Sequence, residues 1–211
     1  PEYIVVVFDT PEPTFRHEAY AEYKAGRDAM PDDLAVAIPR IHDLVDALQI
    51  ATLRAPGWEA DDLAATLAYR AEADGIDTFL VTSDKDYEQL VTDHTRVCRP
   101  GGSGEQYQVL GVEEVLEKWQ IERVEQVVDI LALMGDKVDN IPGIPGIGEK
   151  TAQKLIKQYG SVENLLASTE ELKGKQKERV VDHADDARMS KELIILHRDV
   201  PLEFAWEDLS V

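Results

Sequence analysis

The sequence predicts an α/β protein: a mostly parallel sheet flanked by helices, followed by a helical subdomain. Three observations carry this reading. "YIVVVFD" at 3–9 and "TFLVTS" at 78–83 are continuous, β-branched apolar runs, the pattern of strands buried on both faces. Segments with helical apolar spacing alternate with such runs, which implies right-handed βαβ units. Past residue 110 the strands give way to one helical segment after another. The chain is therefore divided into an α/β part, 1–120, and a helical part, 121–211.

Taken in order, the first strand ends in Asp9, and residues 10–32 are polar, aromatic and locally basic, reading by themselves as a solvated loop. "LAVAIPRIHDLVDALQI" has helical spacing, with Pro39 as a bend or first-turn residue. "ATLRAP" is a short strand. "EADDLAATLAYRAEADG" is an amphipathic helix with acids in its first turn and Gly75 past its end. A helix is expected from "DKDYEQLV", then a strand at "TRVCRP" and a Gly-rich turn, as a hairpin or mobile loop, at 100–105. "GVEEVLEKWQ", "VEQVVDILALMGD", "EKTAQKLIKQYG", "SVENLLAS" and "ARMSKELIILHRD" read as helices, and "PLEFAW" as a closing strand.

Composition narrows the function. The 211 residues carry 42 acids against 22 bases, a net charge of −20, so nucleic acid could not be held by overall charge. A local basic surface or a bound cation can still reverse the field. Cys98 is the single cysteine, which excludes an intrachain disulfide and fits a reducing, cytoplasmic setting. No segment resembles a signal peptide or a membrane span. The sequence lacks an initiator Met and enters an apolar strand at once, so a longer parent chain is expected.

Acids gather where strands end. Asp9 closes the first strand, Glu59, Asp61 and Asp62 follow the second, and Asp84 and Asp86 follow the third. In an open parallel sheet that edge is where ligands sit. Asp136 and Asp139 in "GDKVDN" are candidates to complete the group, and all eight are expected to line one pocket. For any single acid, capping a helix N-terminus is the simpler explanation. Acids in excess of one per helix argue for a cation among them. Scattered carboxylates suit Mg²⁺ or Mn²⁺, and two such ions are a common device for phosphodiester cleavage. Zinc is disfavoured, because His17, His42, His94, His183 and His197 show no ligand spacing.

"NIPGIPGIGEKTAQKLIKQYGSVENLL" is the most specific stretch. Its Gly-rich turn enters a helix with Lys150, Lys154 and Lys157 near its start. Glycines let backbone N–H groups approach phosphate, and a helix N-terminus adds positive potential. With Ala152 and Leu155 at core spacing, the pattern predicts a DNA-binding helix–hairpin–helix that grips a duplex backbone without reading its sequence.

Together these residues resemble the 5′–3′ exonuclease domains of bacterial DNA polymerase I, relatives of the flap endonucleases. The resemblance rests on "VVFD", "TFRHEAYAEYKAGR", "GWEADDLAATLA", "TSDKDYEQLV", "LMGDKVDNIPGIPGIGEKTAQKLI" and "DVPLEF". It implies a 5′ nuclease fold of the PIN-like kind, two Mg²⁺ or Mn²⁺ ions on the eight acids, and removal of RNA primers and 5′ flaps in replication and repair. It implies that Arg16, Tyr23, Lys24 and Arg27 belong to a mobile arch, with Arg16, Lys24 and Arg27 at the scissile phosphate. It places DNA contacts at Gly143, Gly146, Ile147, Gly148, Lys150, Thr151 and Lys154, and a polymerase portion in the parent chain. The family begins with a further strand bearing another metal-ligand Asp that nothing here matches, so the alternative is a module that binds branched DNA without cutting it. An acidic phosphotransfer or phosphatase domain is a third reading, but it leaves the hairpin unexplained.

Overall fold

The computed structural model describes residues 1–27, 29–101 and 107–211. Most of the Gly-rich turn expected at 100–105 lies outside the described residues. The chain divides into two compact units, 1–67 with 197–211, and 68–196.

In the first unit, strand β1 (Val5–Val7) pairs in parallel with β2 (Ala51–Leu53), Val5 opposite Ala51. The last residues of the chain return beside β1: Ile4 N–H donates to Leu209 O at 3.0 Å and Val211 N–H to Glu2 O at 3.1 Å. This brings Val200, Leu202 and Leu209 into one core with Leu63 and Leu67, against which Tyr3, Val5, Val7, Trp58, Phe204 and Trp206 pack. "PLEFAW" is not a strand. Residues 201–205 have no regular structure, and a 3₁₀ turn, Trp206–Leu209, follows them. Here burial of apolar side chains, and not a ladder, explains the apolar content of that segment.

The first unit also holds three helices or parts of them. Helix α1 (Phe15–Ala19) lies inside the segment that composition alone would leave as a loop. Its start is tied by His17 Nδ1, which accepts from Thr14 N–H at 3.1 Å. Helix α2 (Asp32–Ala47) carries Pro39 within it and leaves Leu34, Val36, Ile41 and Leu44 exposed. Helix α3 (Ala60–Ala73) begins here, and the division between units falls within it. Thr66 Oγ1 donates to His197 O at 3.3 Å and accepts from Val200 N–H at 3.1 Å, which fixes the returning segment on α3.

In the second unit, β3 (Thr78–Val81) pairs in parallel with β4 (Thr95–Pro100), and β4 pairs antiparallel with β5 (Tyr107–Leu110). The α/β class and the mostly parallel pairing are as the sequence predicts, but among the described residues the strands form two small sheets, not one. The helix expected from Asp84 is a 3₁₀ turn, Lys85–Leu90, because the Asp84 side chain accepts from Asp86 N–H at 2.9 Å and tightens the entry. Helices α4 (Val112–Trp119), α5 (Gln126–Met134), α6 (Glu149–Tyr159), α7 (Val162–Ala167), α8 (Gly174–Asp182) and α9 (Ala184–Ile194) follow. Residues 126–133 of α5 are all buried, so "VVDILAL" is covered on every face because it is central, and its one acid, Asp129, is paired with Lys191 Nζ at 2.6 Å. Glu88 is 1% exposed and satisfied by Trp119 Nε1 at 2.6 Å and Lys118 Nζ at 2.6 Å, with Arg99 at 3.5 Å.

Candidate functional site

The acids of the first unit are covered by cations from the segment between β1 and α2. Glu59, just before α3, accepts from Lys24 Nζ at 2.6 Å and Tyr23 OH at 3.0 Å, and Arg16 Nη1 stands 3.3 Å from it. Arg16 also binds Asp62 with both arms of its guanidinium, at 2.7 and 2.9 Å. Asp9 is exposed, and its Oδ1 caps α3 by accepting from Ala60 N–H at 2.8 Å. Asp62 reaches back to Glu59 N–H at 3.3 Å, as an acid in a helix first turn does. Capping thus accounts for Asp9 and for part of Asp62. It does not account for Glu59, whose side-chain oxygens face a lysine, a tyrosine and an arginine. Asp61 is half-buried and Arg27 exposed.

The acids of the second unit are less well matched. Asp84 is exposed, and Asp86 has a side chain 21% exposed. Burial pushes the Asp86 carboxyl up to about 7, and the charges of Asp84, Asp136 and Asp139 add to the shift, against the opposing pull of Lys85. Lys85 Nζ sits 2.5 Å from Asp136 and 3.8 Å from Asp86. Burial works against ionisation of Asp136, but the Lys85 hydrogen bond and charge win. With the N–H groups of Val138 and Asp139, they hold that carboxyl below its usual range. Burial likewise opposes the Lys85 ammonium, and Asp136 and Asp86 outweigh it and raise its pKa.

Carboxylate oxygens are the donors a hard divalent cation takes, and a buried acid pushed up by like charges is a place where a cation would stabilise the fold. In this donor chemistry the residues fit such an ion. Their present arrangement answers the charge differently: among the described residues, no three His, Cys, Asp or Glu side chains stand together so as to hold an ion. Lysine, arginine and backbone N–H groups occupy the oxygens instead.

The Gly-rich turn is a close crossing of backbone. Gly135 ends α5 with φ +68°, and Gly143 has φ +57°. A Cβ on either would overlap the other's backbone, so both must be glycine. Gly143 N–H donates to Ser190 Oγ at 3.0 Å, and Ile144 N–H to Leu133 O at 2.9 Å. Ile147, expected on the DNA-facing side, is 5% exposed, and its N–H donates to Ile144 O at 3.0 Å, so it anchors the turn in the core. Gly146 has φ +80°, and its carbonyl accepts from Arg179 Nη1 at 3.4 Å. Gly148 precedes α6 with open space where a Cβ would go, Lys150, Lys154 and Lys157 are exposed, and Thr151 is half-buried.

Two features escaped the sequence reading. Gly135 has no neighbouring glycine to mark it, since its partner is eight positions on. The basic stretch of Lys173, Lys175, Lys177 and Arg179 at α8 could have been found by counting charges, and it stands beside the turn through Arg179.

Residues 1–120 match the model of the 5′-3′ exonuclease N-terminal resolvase-like domain, and residues 122–211 that of the 5′-3′ exonuclease C-terminal SAM fold. The chain belongs to the 5′–3′ exonuclease family. It is 45% identical over 201 residues to thermostable DNA polymerase I of Thermus thermophilus, which covers 95% of this chain and 23% of that protein. It is 43% identical over 211 residues to DNA polymerase I of Bacillus caldotenax, covering 100% and 24%. The chain thus spans about a quarter of the length of these relatives. Among solved structures, a bacteriophage T5 flap endonuclease in a pseudo-enzyme–product complex with DNA and metal ions matches with a TM-score of 0.76 at 25% identity, over 91% of this chain and 73% of that one. The catalytic core of Rad2 in complex with DNA substrate, at 19% identity and TM-score 0.56 over 96% and 68%, shares the fold. No helix among the described residues is long and apolar enough to cross a membrane.

Proposed function

We propose that this exonuclease-family chain is a structure-specific 5′ nuclease. It hydrolyses phosphodiester bonds at 5′ ends and flaps of branched duplexes, and so removes primers and displaced strands in replication and repair. The observation that carries the reading is the carboxylate set Asp84, Asp86, Asp136 and Asp139, with Lys85 as its close cation, in a chain that both family models match. Divalent ions, Mg²⁺ or Mn²⁺ and two in number, would acidify the attacking water and stabilise the departing oxygen when bound. Each unit offers its own acids to such an ion: Asp9, Glu59 and Asp61 in the first, and Asp84, Asp86, Asp136 and Asp139 in the second.

The chain's own groups do the rest. Lys24 and Arg27 present cations to the phosphate once Lys24 leaves Glu59; Tyr23 is 4% exposed with its hydroxyl on Glu59, so its ring can stack on a base only when that segment opens. In the helical part, backbone N–H groups about Gly146 and Gly148, with Lys150, Thr151 and Lys154, take the duplex backbone without base readout. A polymerase portion in the same parent chain is proposed from the relatives' identity.

A second reading, binding of branched DNA without cleavage, is favoured by the chain's own cations on the acids: Arg16 and Lys24 at Glu59, Arg16 at Asp62 and Lys85 at Asp136. A labelled 5′-flap duplex incubated with the chain and Mg²⁺ or Mn²⁺ separates the two. Metal-dependent release of the flap supports the nuclease, and tight binding with no product at any metal concentration supports the binding module.

A further inference from the structure

Asp62 differs from every other acid of the first unit. It is 0% exposed, and each of its oxygens accepts two hydrogen bonds. Oδ2 accepts from Arg16 Nη1 at 2.7 Å and from Glu59 N–H at 3.3 Å. Oδ1 accepts from Arg16 Nη2 at 2.9 Å and from His197 N–H at 3.0 Å. A carboxylate has about four lone-pair sites, so none is left for an ion. Arg16, 1% exposed, supplies a two-armed contact that fixes direction as well as distance. Its guanidinium lies 4.5 Å from the Phe15 ring, which in turn packs edge-on against the ring of His197 at 4.5 Å.

The far end of the same segment is held differently. Lys24 has a side chain 19% exposed and sits at φ +57°, a backbone conformation that costs a lysine energy. Its ammonium rests on Glu59 Oε1, an oxygen for which a cation in solution can compete.

We propose that Asp62 is a positioning residue and not an ion ligand: with Arg16 it forms the fixed pin that carries segment 14–27, and Lys24 on Glu59 is the segment's releasable end. When a cation takes Glu59, Lys24 relaxes from its left-handed conformation and its ammonium becomes available to a phosphate, while Arg16 stays in place. Only the identity of the releasing cation rests on the metal-dependent reading above.

Two measurements on the metal-free chain test this. The first is the rate of tryptic cleavage after Lys24, followed by mass spectrometry. The second is Mn²⁺ binding, followed by the spin-resonance signal of the free ion. In Asp62→Asn the cleavage after Lys24 should accelerate about tenfold, because the segment opens more often, while Mn²⁺ binding is kept or tightened, since Lys24 then leaves Glu59 more often. Glu59→Gln should weaken Mn²⁺ binding. Arg16→Met combined with Asp62→Asn removes both buried charges together and guards against a variant that fails to fold. It should show the same local acceleration, with cleavage in 68–196 unchanged. Arg16→Lys keeps the charge without the fork and should fall between, a gradation that simple space-filling would not give. Loss of Mn²⁺ in Asp62→Asn to the extent seen in Glu59→Gln would overturn the proposal, as would unaltered protection of Lys24 in the double variant or acceleration at every tryptic site. If the unaltered chain bound no Mn²⁺, the metal-dependent reading would fall, and the cleavage rates alone would still decide the pin.

Discussion

The two acidic groups solve the same electrostatic problem in opposite ways. In the first unit, Glu59 and Asp62 are met by Arg16, Lys24 and the Tyr23 hydroxyl, so the charge is neutralised from within the chain. In the second, Lys85 serves Asp136 first, and Asp86 is left pushed up to about 7. The difference teaches that a run of acids in sequence does not have one physical meaning. The first group stabilises the fold without an ion, whereas the second is the one that gains most from adding one.

The comparison breaks most readily at the second group. Asp86→Ala should lower flap cleavage by at least roughly 100-fold, since even partners outside the ligand shell commonly cost that much, while DNA affinity holds or tightens as a repulsive charge is lost. Binding and cutting measured on the same variant decide it, and a proportional loss of both would make the acid structural.

A stability titration sharpens it next. Asp86 has a folded pKa raised above its unfolded value near 4, so the folded protein binds the proton more tightly. Stability is therefore full below about pH 4 for this group and falls as pH rises towards 7, by an amount on the order of 2–4 kcal/mol. Asp136 is shifted the other way, and its contribution disappears only as pH falls through its lowered pKa. Millimolar Mg²⁺ should flatten the decline between pH 4 and 7 by binding the folded state, and melting curves with chelator and with metal should show it. Coincident curves at pH 7 would remove the second group as a cation site.

In the first group, Lys24→Met should cost only about 1 kcal/mol, because Arg16 and Tyr23 remain on Glu59. Mn²⁺ should bind more tightly to this variant, with one competing cation gone. Unchanged affinity would mean that Lys24 and the ion do not share Glu59. The smallest effect belongs to the hairpin. Gly148→Ala meets no neighbour within 4 Å and should leave stability within about 0.5 kcal/mol, while weakening duplex binding several-fold for every sequence. Gly143→Ala collides with the backbone of Met134 and Gly135 and should unfold the turn outright, so it cannot serve as a binding probe.

Much of this is legible in the sequence. β1, β2, β3 and β4 and the helices α2 to α7 and α9 fall on the segments whose apolar spacing announces them. α1 escaped because "FRHEA" is too short and polar to show a period, and its start depends on a histidine side chain. α8 escaped because "GKQKERVVD" is mostly charged. β5 is specified by its antiparallel partner β4, and a four-residue strand carries little signal of its own. At the site, the acids were legible as residues, but their partners were not. Arg16 and Asp62 are separated by 46 positions, and only the folded chain shows that this acid is enclosed while Asp9, on the same strand edge, stays exposed. The buried Ile147 taught the reverse lesson: a position inside a binding motif can serve the core.

The indole of Trp119, 2% exposed and bonded to a buried carboxylate, has an optical consequence. The chain has three tryptophans, Trp119 in the second unit and Trp58 and Trp206 in the first. A charged acceptor at the pyrrole nitrogen perturbs the indole's excited state, so Trp119 should emit apart from the other two. Replacing Trp58 and Trp206 with Phe leaves a chain whose fluorescence reports on 68–196 alone, and replacing Trp119 leaves one that reports on the remainder. The same protein then carries two separately readable dyes, with which the unfolding of each unit can be timed without attaching a label.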